Sequence, residues 1–469
     1  MSEVVVIGAG PAGLAAALAA RAAGSRVVVL DASDYVGGQY WRHLPPERPA
    51  RHESLLHHGW SRFQSLREAL EGDSGCEVVT SANVWAIDRG RIHVLVGEAD
   101  GVDRETRVYE PDALVLATGA FDRVLPVPGW DLPGVFSAGG AQALAKGERV
   151  AVGKRVAVAG SGPFLLPVAE SLVHAGSGVV GVYEASHAAR LARQWTTRPW
   201  ELLATSAKTL ELARYASTLA RHRIPYVTGH AVTAIEGSER VESVTVSAVD
   251  GSWRPIAGSE RSLEVDAICL GHGFTPRLEL AIAAGCRLTK DRFVDVDDEQ
   301  RTSVASVFAA GEITGIGGVD LALVEGSLAG HVAAGGRLSD PAMRSLRLRR
   351  HALSQFAQRL GRAHGIGQNW TTWLTDETVV CRCEDVTLAR LRAATDSTRS
   401  SGLRSLKLLT RAGLGPCQGR VCGRSVEAIL GRVSDSRSAD SSITDRRPIA
   451  VPIRLGELAA VERPGSVVE

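Results

Sequence analysis

"VVVIGAGPAGLAAALAARAAGSRVVVLDAS", residues 4–33, is the stretch on which the fold turns. Val4 to Ile7 form a short, unbroken apolar run of the kind that a fully buried parallel strand needs. A helix rich in alanine is expected from Pro11 to Ala23, with Pro11 in a first-turn position that tolerates it. Between strand and helix, Gly8, Gly10 and Gly13 spell G-x-G-x-x-G. The first glycine permits a tight turn, the second lets a pyrophosphate approach the backbone, and the third lets helix and strand pack closely. Pro11 and Ala12 open the helix, whose free N–H groups then face the phosphates. A second strand, Arg26 to Leu30, ends in Asp31, the place of an acid that hydrogen-bonds an adenine ribose. The stretch predicts a dinucleotide-binding βαβ unit, and its spacing suits NAD and FAD equally.

A second copy follows in "GKRVAVAGSGPFLLPVAESLVHAGSGVVGVYEAS", residues 153–186. Arg155 to Ala159 read as a strand, Gly160 and Gly162 begin the loop, and Pro163 to His174 read as a helix. Val179 to Tyr183 form the next strand and end in Glu184. The third glycine is replaced by Leu165, so helix and strand are expected to stand further apart there. Glu184, with no arginine directly behind it, favours NAD over NADP if a dinucleotide binds. A working NADH site and an inherited fold that holds another adenine nucleotide, or nothing, both remain open. The fold class is α/β.

The chain has 469 residues, room for about three domains at ~150 residues each. A net charge of +1 gives no electrostatic argument for nucleic acid or an anionic membrane. No basic segment precedes the apolar N-terminus, which reads as strand and helix rather than signal peptide. Apolar runs break well before the ~18 residues of a membrane span. Seven cysteines, three of them isolated (Cys76, Cys269 and Cys286), suit a reducing cytoplasm rather than a disulfide framework. Cys269 and Cys286 read as small core residues, and no local cysteine pair suggests disulfide reduction. His272, in "LGHGFTP" (270–276), reads as a loop residue without a chemical role.

The other four cysteines form a pattern. Cys381 and Cys383 lie in "VVCRCEDVTLARLRAAT" (379–395), and Cys417 and Cys422 in "GPCQGRVCG" (415–423). C-x-C followed by C-x4-C is a four-thiolate metal site. Zinc accepts four cysteines, usually from C-x-x-C knuckles, and iron–sulfur ligation also takes four. The flanking segments read as amphipathic helices, with Val426, Ile429, Leu430 and Val433 on one face. The cysteines are expected at helix N-termini, where N–H groups favour a negatively charged cluster. This region resembles the BFD-like [2Fe–2S] domain.

Three further segments bear on the first unit: Gly37-Gly38-Gln39, "ALVLATGA" (113–120) running into Thr118-Gly119, and "SVFAAGEITG" (306–315) ending in Gly311-Glu312. Together they resemble the two-dinucleotide-domain flavoproteins related to glutathione and thioredoxin reductases. That resemblance implies FAD at the first unit. It places Glu312 at the ribityl and pyrophosphate and the helix N-terminus near Asp320 and Leu321 against the flavin ring. Glu312 departs from the family's usual aspartate by one methylene. The implied organisation is an FAD domain in two halves (1–122 and 286–338), an inserted NAD(P)-type domain (123–285), a helical connector (339–375), a [2Fe–2S] domain (376–434) and a tail (435–469).

In the connector, Ser339 or Asp340 is expected to cap a helix from Pro341 with Leu346, Leu353 and Leu360 in one stripe, forming either a solvated arm or a docking surface. Arg344, Arg347, Arg359 and Arg362 lie off that stripe. The tail from Ser434 to Arg447 reads as flexible, and "RPIAVPIRLGELA" after it either folds back or grips a partner. The whole order of parts resembles the FAD/[2Fe–2S] alpha subunits of heteromeric amino-acid dehydrogenases and oxidases. Opine oxidase A subunits, hydroxyproline and proline dehydrogenase alpha subunits and the B subunit of hydrogen cyanide synthase are of this kind. The resemblance implies electron relay from an amino-acid-oxidising flavoprotein subunit, with room for a small ferredoxin-like subunit, and ATP or NADH at the second nucleotide unit. The competing readings are a self-contained NADH-dependent reductase with an appended cluster, and an iron-handling or docking module.

Overall fold

The computed structural model describes residues 2–48, 53–197, 206–398, 403–433 and 449–459. At the centre of the first unit is a parallel sheet in the order Val307–Ala309, Ala113–Leu116, Glu3–Ile7, Arg26–Leu30, Cys76–Val79. Its inner strands are buried on both faces, as their valine- and leucine-rich sequences require. Helix Pro11–Ala22 covers one face and packs on helix Val319–Ala333. A Cβ on Gly326 or Gly330 would stand 2.0 Å from the carbonyl oxygen of Ala12 or Ala16. Only glycine lets the two backbones come so close.

The second unit repeats this plan strand for strand: Tyr226–Thr228, Val179–Glu184, Val156–Gly160, Ala267–Gly271, Val135–Ser137. Each unit also carries a three-stranded antiparallel sheet, 82–109 in the first and 230–264 in the second. The chain passes between the units along Ala120–Asp122 and Phe274–Pro276, which pair antiparallel. The second helix spans Leu165–His174, two residues later than expected. Leu165 is therefore a buried core residue at the helix start. Gly160 makes the contact with the neighbouring strand that Gly8 makes in the first unit: a Cβ there would lie 1.6 Å from the Gly271 carbonyl oxygen.

The connector begins with a single 3-10 turn, Pro341–Met343, and continues as helix Arg344–Ala363. Asp340 does not cap it, because its carboxylate accepts from the Arg337 N–H and His331 instead. One face of the helix is covered, while Arg344, Arg347, Leu348 and Arg362 on its other sides are exposed. Leu353 and Leu346 pack on Leu321, Val324 and Leu328, and Arg359 is buried against the carbonyls of Gln194 and Trp195.

The cysteine-bearing part comprises the hairpin Val379–Cys381 and Val386–Thr387 and helices Leu388–Thr398, Leu403–Thr410 and Gly423–Val433. Helix 403–410 has no counterpart in the sequence reading, and the first predicted helix starts four residues late because 386–387 pair as a strand. Val426, Ile429 and Leu430 share one core with Trp130 and Trp253 of the second unit and Trp373 of the connector; the Val433 side chain lies outside the described residues. Trp373 Nε1 donates to the Trp253 carbonyl at 2.9 Å. The tail stretch 434–448 also lies outside the described residues. Residues 449–459 fold back: Ala450 N–H donates to the Trp85 carbonyl at 2.7 Å, and Arg104 clamps both oxygens of Glu457 at 2.7 and 2.6 Å.

Candidate functional site

In the first unit the glycine loop lies at the C-terminal edge of the sheet, between strand 3–7 and helix 11–22. Gly8 has φ +105° and a Cβ there would meet the Ala117 carbonyl oxygen at 2.3 Å. A Cβ on Gly13 would stand 1.7 Å from the Gly8 carbonyl oxygen. At Gly10 the nearest atom would be 3.9 Å away, so this glycine faces open space. That is the distribution a bound pyrophosphate needs: two glycines for packing and one for the ligand. Gly38 abuts Gly10, with Gln39 next to it, and Thr118 Oγ1 donates to the Arg277 carbonyl at 2.8 Å. Asp31 accepts from the N–H groups of Ala9 at 2.5 Å and Ser33 at 2.8 Å.

Gly311 stands beside Ala12, and Glu312 Oε1 accepts from the Gly318 N–H at 2.8 Å. Glu312 Oε2 is shut off from solvent with no hydrogen-bond partner among the described residues. A sugar-alcohol hydroxyl is the donor this oxygen lacks, and together with the open Gly10 it makes the first unit fit FAD. Asp320 opens helix 319–333 but is paired with Lys208 at 2.8 Å and Arg349 at 3.3 Å, while Leu321 is buried in the helix packing.

Burial pushes the Glu312 carboxyl up to about 7, Glu325 adds to the rise, and the Gly318 N–H opposes it. In the unfolded chain this acid ionises near its ordinary value, so the folded chain holds the extra proton between roughly pH 4.5 and 7. Stability of the FAD-free protein therefore falls as pH rises through that window. Replacing Glu312 with Gln is expected to stabilise FAD-free protein at pH 8 by at most ~3 kcal/mol, with no gain at pH 4. Urea unfolding of both proteins at the two pH values checks this, and an equal gain at both values contradicts it.

In the second unit, Gly160 and Gly162 form the loop and Glu184 is completely buried. Its oxygens accept from the N–H groups of Gly162 at 2.8 Å and Ser186 at 2.9 Å, and from His364 Nδ1 at 3.2 Å. Burial alone would raise its carboxyl, but the bond and charge of His364 and the two N–H groups hold it below the ordinary range. His272 is buried, and burial with the neighbouring Arg123 charge lowers it to about 3. Its neutral ring takes the Leu125 N–H, which is a structural role. Cys269 and Cys286 are buried core residues.

The four C-terminal cysteines come together. Cys381 and Cys422 bring their sulfurs to 3.7 Å, Cys422 interacts with Cys417, and Cys417 interacts with Cys383. No three His, Cys, Asp or Glu side chains among the described residues surround one point closely enough to hold a single ion. Four cysteine thiolates are a donor set that fits iron–sulfur ligation, and zinc also accepts four. Cys381 is drawn down to about 6 by Cys422 and by the N–H groups of Gly413, Glu384 and Cys383, against burial. Cys417 is drawn down to about 4 by Cys422, with help from the N–H groups of Val421 and Gly419. Cys422 directly precedes helix 423–433, but Cys381 ends a strand and Cys417 lies in a turn, so of these three the helix-terminus expectation holds for Cys422. Cys381 and Cys422 are buried, Cys383 is exposed and Cys417 half-buried.

One functional residue escapes sequence reading. Arg420, between the last two cysteines, donates to Glu279 at 2.6 Å and to the Ala450 carbonyl at 2.7 Å, and lies over the Phe121 ring. Arg277 lies over the same ring, and its N–H donates to the Gly119 carbonyl. Its C-x4-C position marks Arg420 as part of the loop, but nothing local points to Glu279.

Residues 2–335 match the family model for pyridine nucleotide-disulphide oxidoreductase, and residues 379–432 match the BFD-like [2Fe-2S] binding domain. The chain is 35% identical to the opine oxidase A subunit of Agrobacterium tumefaciens, covering 97% of this chain and 91% of that one. It is 31% identical to hydrogen cyanide synthase subunit HcnB of Pseudomonas aeruginosa, over 89% of this chain and 90% of that one. Among solved structures, L-proline dehydrogenase from P. horikoshii shares the fold with a TM-score of 0.65 at 21% identity, over 97% of this chain and 79% of that one. No helix among the described residues is long and apolar enough to cross a membrane. With its FAD-fitting first unit and its four gathered cysteines, the chain belongs to the pyridine nucleotide-disulphide oxidoreductase family, as an FAD-dependent flavo-iron–sulfur oxidoreductase subunit.

Proposed function

We propose that this chain is the electron-transfer subunit of a heteromeric amino-acid dehydrogenase or oxidase of the proline, hydroxyproline or opine type. An amino-acid-oxidising flavoprotein subunit supplies it with electrons, in the reducing cytoplasm to which its unpaired cysteines are suited. FAD accepts electron pairs and a [2Fe–2S] cluster passes single electrons, so the two together convert one currency of transfer into the other. The observation that carries this reading is the unbroken packing between the two sites. Thr118 and Gly119 bond to the Arg277 backbone, Arg277 and Arg420 flank Phe121, and Arg420 lies between Cys417 and Cys422. The Arg420–Glu279 and Arg292–Glu427 pairs, both at 2.6 Å, hold the cysteine loop and its helix against the first unit.

The exposed member of the cysteine group supports an exit. Cys383 is exposed against Gly415, and Leu414 and Val421 of the same loop as Gly415 are exposed apolar residues, which suits a docked acceptor such as a small ferredoxin-like subunit. Gly8, Gly10, Pro11, Ala12, Gly13, Asp31, Gly38, Gln39, Thr118, Gly119, Gly311, Glu312, Asp320 and Leu321 hold FAD in this reading. Cys381, Cys383, Cys417 and Cys422 hold the cluster.

The test is anaerobic reconstitution. The purified chain, with FAD, iron and sulfide quantified, is mixed with proline, hydroxyproline and an opine, with and without the amino-acid-oxidising flavoprotein subunit. The expected result is visible-spectrum bleaching only when that subunit is present. Oxidation of an amino acid by the chain alone, or bleaching by NADH alone at a turnover rate, overturns the proposal.

A further inference from the structure

We infer that the adenosine end of the second nucleotide unit is filled in cis, by residues 361–365 at the end of the connector helix, with His364 in the place of a ribose. The two nucleotide units of this chain supply the comparison. In the first, Asp31 accepts from one N–H of the glycine loop and from the N–H two residues on, and no side chain among the described residues bonds to it. In the second, Glu184 makes the same two bonds, to Gly162 and Ser186. Strand registers place the two acids alike, each at the C-terminal end of the strand beside its glycine loop.

The difference is what lies on the remaining acceptor positions. On Glu184 one of them is taken by His364 Nδ1 at 3.2 Å. A carboxylate offers about four acceptor positions, so with three filled Glu184 has at most one left for the two hydroxyls of a ribose. The imidazole supplies the kind of donor that a ribose hydroxyl would.

The strap is also built in from both sides. Ser161, inside the glycine loop, donates its hydroxyl to the His364 carbonyl at 2.8 Å. Arg190 donates to the carbonyls of Arg362 at 2.9 Å and Gly365 at 3.3 Å. Upstream on the same helix, Phe356 packs on Trp195 and Arg359 reaches the Gln194 and Trp195 carbonyls. An adenine nucleotide must therefore compete with the chain's own segment, and its apparent dissociation constant rises by the inverse of the open fraction.

The test uses the full-length protein with its FAD, titrated calorimetrically with ATP and with NADH, alongside His364→Ala and Arg190→Ala. Arg190→Ala loosens the strap without touching Glu184. Both variants are checked for retained FAD and secondary structure. Each is expected to bind at least one of the two nucleotides ~10-fold or more tighter than wild type. Any nucleotide bound by wild type is expected to speed hydrogen exchange in 361–367. Two results overturn the inference: wild type binding either nucleotide with exchange in 361–367 unchanged, or folded variants binding neither nucleotide more tightly than wild type. Neither readout depends on amino-acid oxidation, so this inference stands or falls apart from the proposed relay.

Discussion

Replacing Cys422 with serine is expected to lower iron and acid-labile sulfide by more than ~10-fold while FAD content stays at the wild-type level. Cys422 is 2% exposed, touches Cys381 at 3.7 Å and also engages Cys417, so it contacts two of the other three cysteines. A serine oxygen is a harder ligand on a shorter bond, and it puts an unpartnered hydroxyl into a core formed by Val426, Ile429 and Leu430. The exposed end tolerates more. Cys383→Ser is expected to retain part of the cluster, with faster loss in air, because solvent and backbone there can adjust. Chemical iron and sulfide assays with the visible spectrum decide both. A Cys422→Ser protein with full iron and sulfide, or a wild-type protein carrying zinc without sulfide, contradicts the assignment of these cysteines.

The first unit allows folding and FAD binding to be separated with two single substitutions. Gly13→Ala is expected to destabilise the protein by ~3 kcal/mol or more and to abolish FAD retention, because the new Cβ would sit 1.7 Å from the Gly8 carbonyl oxygen. Backbone meets backbone there, so neither side can give without moving the helix off the sheet. Gly10→Ala is expected to fold normally, since its Cβ meets nothing closer than 3.9 Å. The added methyl takes the space in which the pyrophosphate approaches, so FAD affinity should fall ~10-fold or more. Thermal unfolding of the FAD-free proteins and fluorescence titration with FAD separate the effects. Equal losses of stability in the two variants would contradict the division of labour between the two glycines.

Both nucleotide folds are legible in the sequence because their information is local. The G-x-G loops, the terminal acids and the apolar strands each lie within about thirty residues, and strand period and glycine spacing follow directly from backbone geometry. The cysteine pattern is legible for the same reason. Leu165 shows the limit: it reads as a residue inside a helix from Pro163, whereas the helix starts at Leu165 itself and buries it in the core. The connector reads as arm or docking face because its sequence shows one apolar stripe and says nothing of what covers the other sides. Arg359 has the look of a solvated charge and is buried on two carbonyls. His364 on Glu184, Arg420 on Glu279 and Arg104 on Glu457 join residues far apart in the chain. Pairings of that kind leave no periodic trace in a single sequence.

The sheet of the first unit has a consequence for how the protein is made. Its edge strand, Val307–Ala309, pairs with Ala113–Leu116, and the entire second unit is synthesised between them. At a ribosomal rate of ~5–20 residues per second, the nascent first half waits on the order of ten seconds or more with that strand edge open. Gly311, Glu312 and the helix that packs against Pro11–Ala22 arrive only after the wait. Flavin capture therefore belongs late in translation, and an unpaired edge at Ala113–Leu116 is where a chaperone would be needed and where a stalled chain would aggregate.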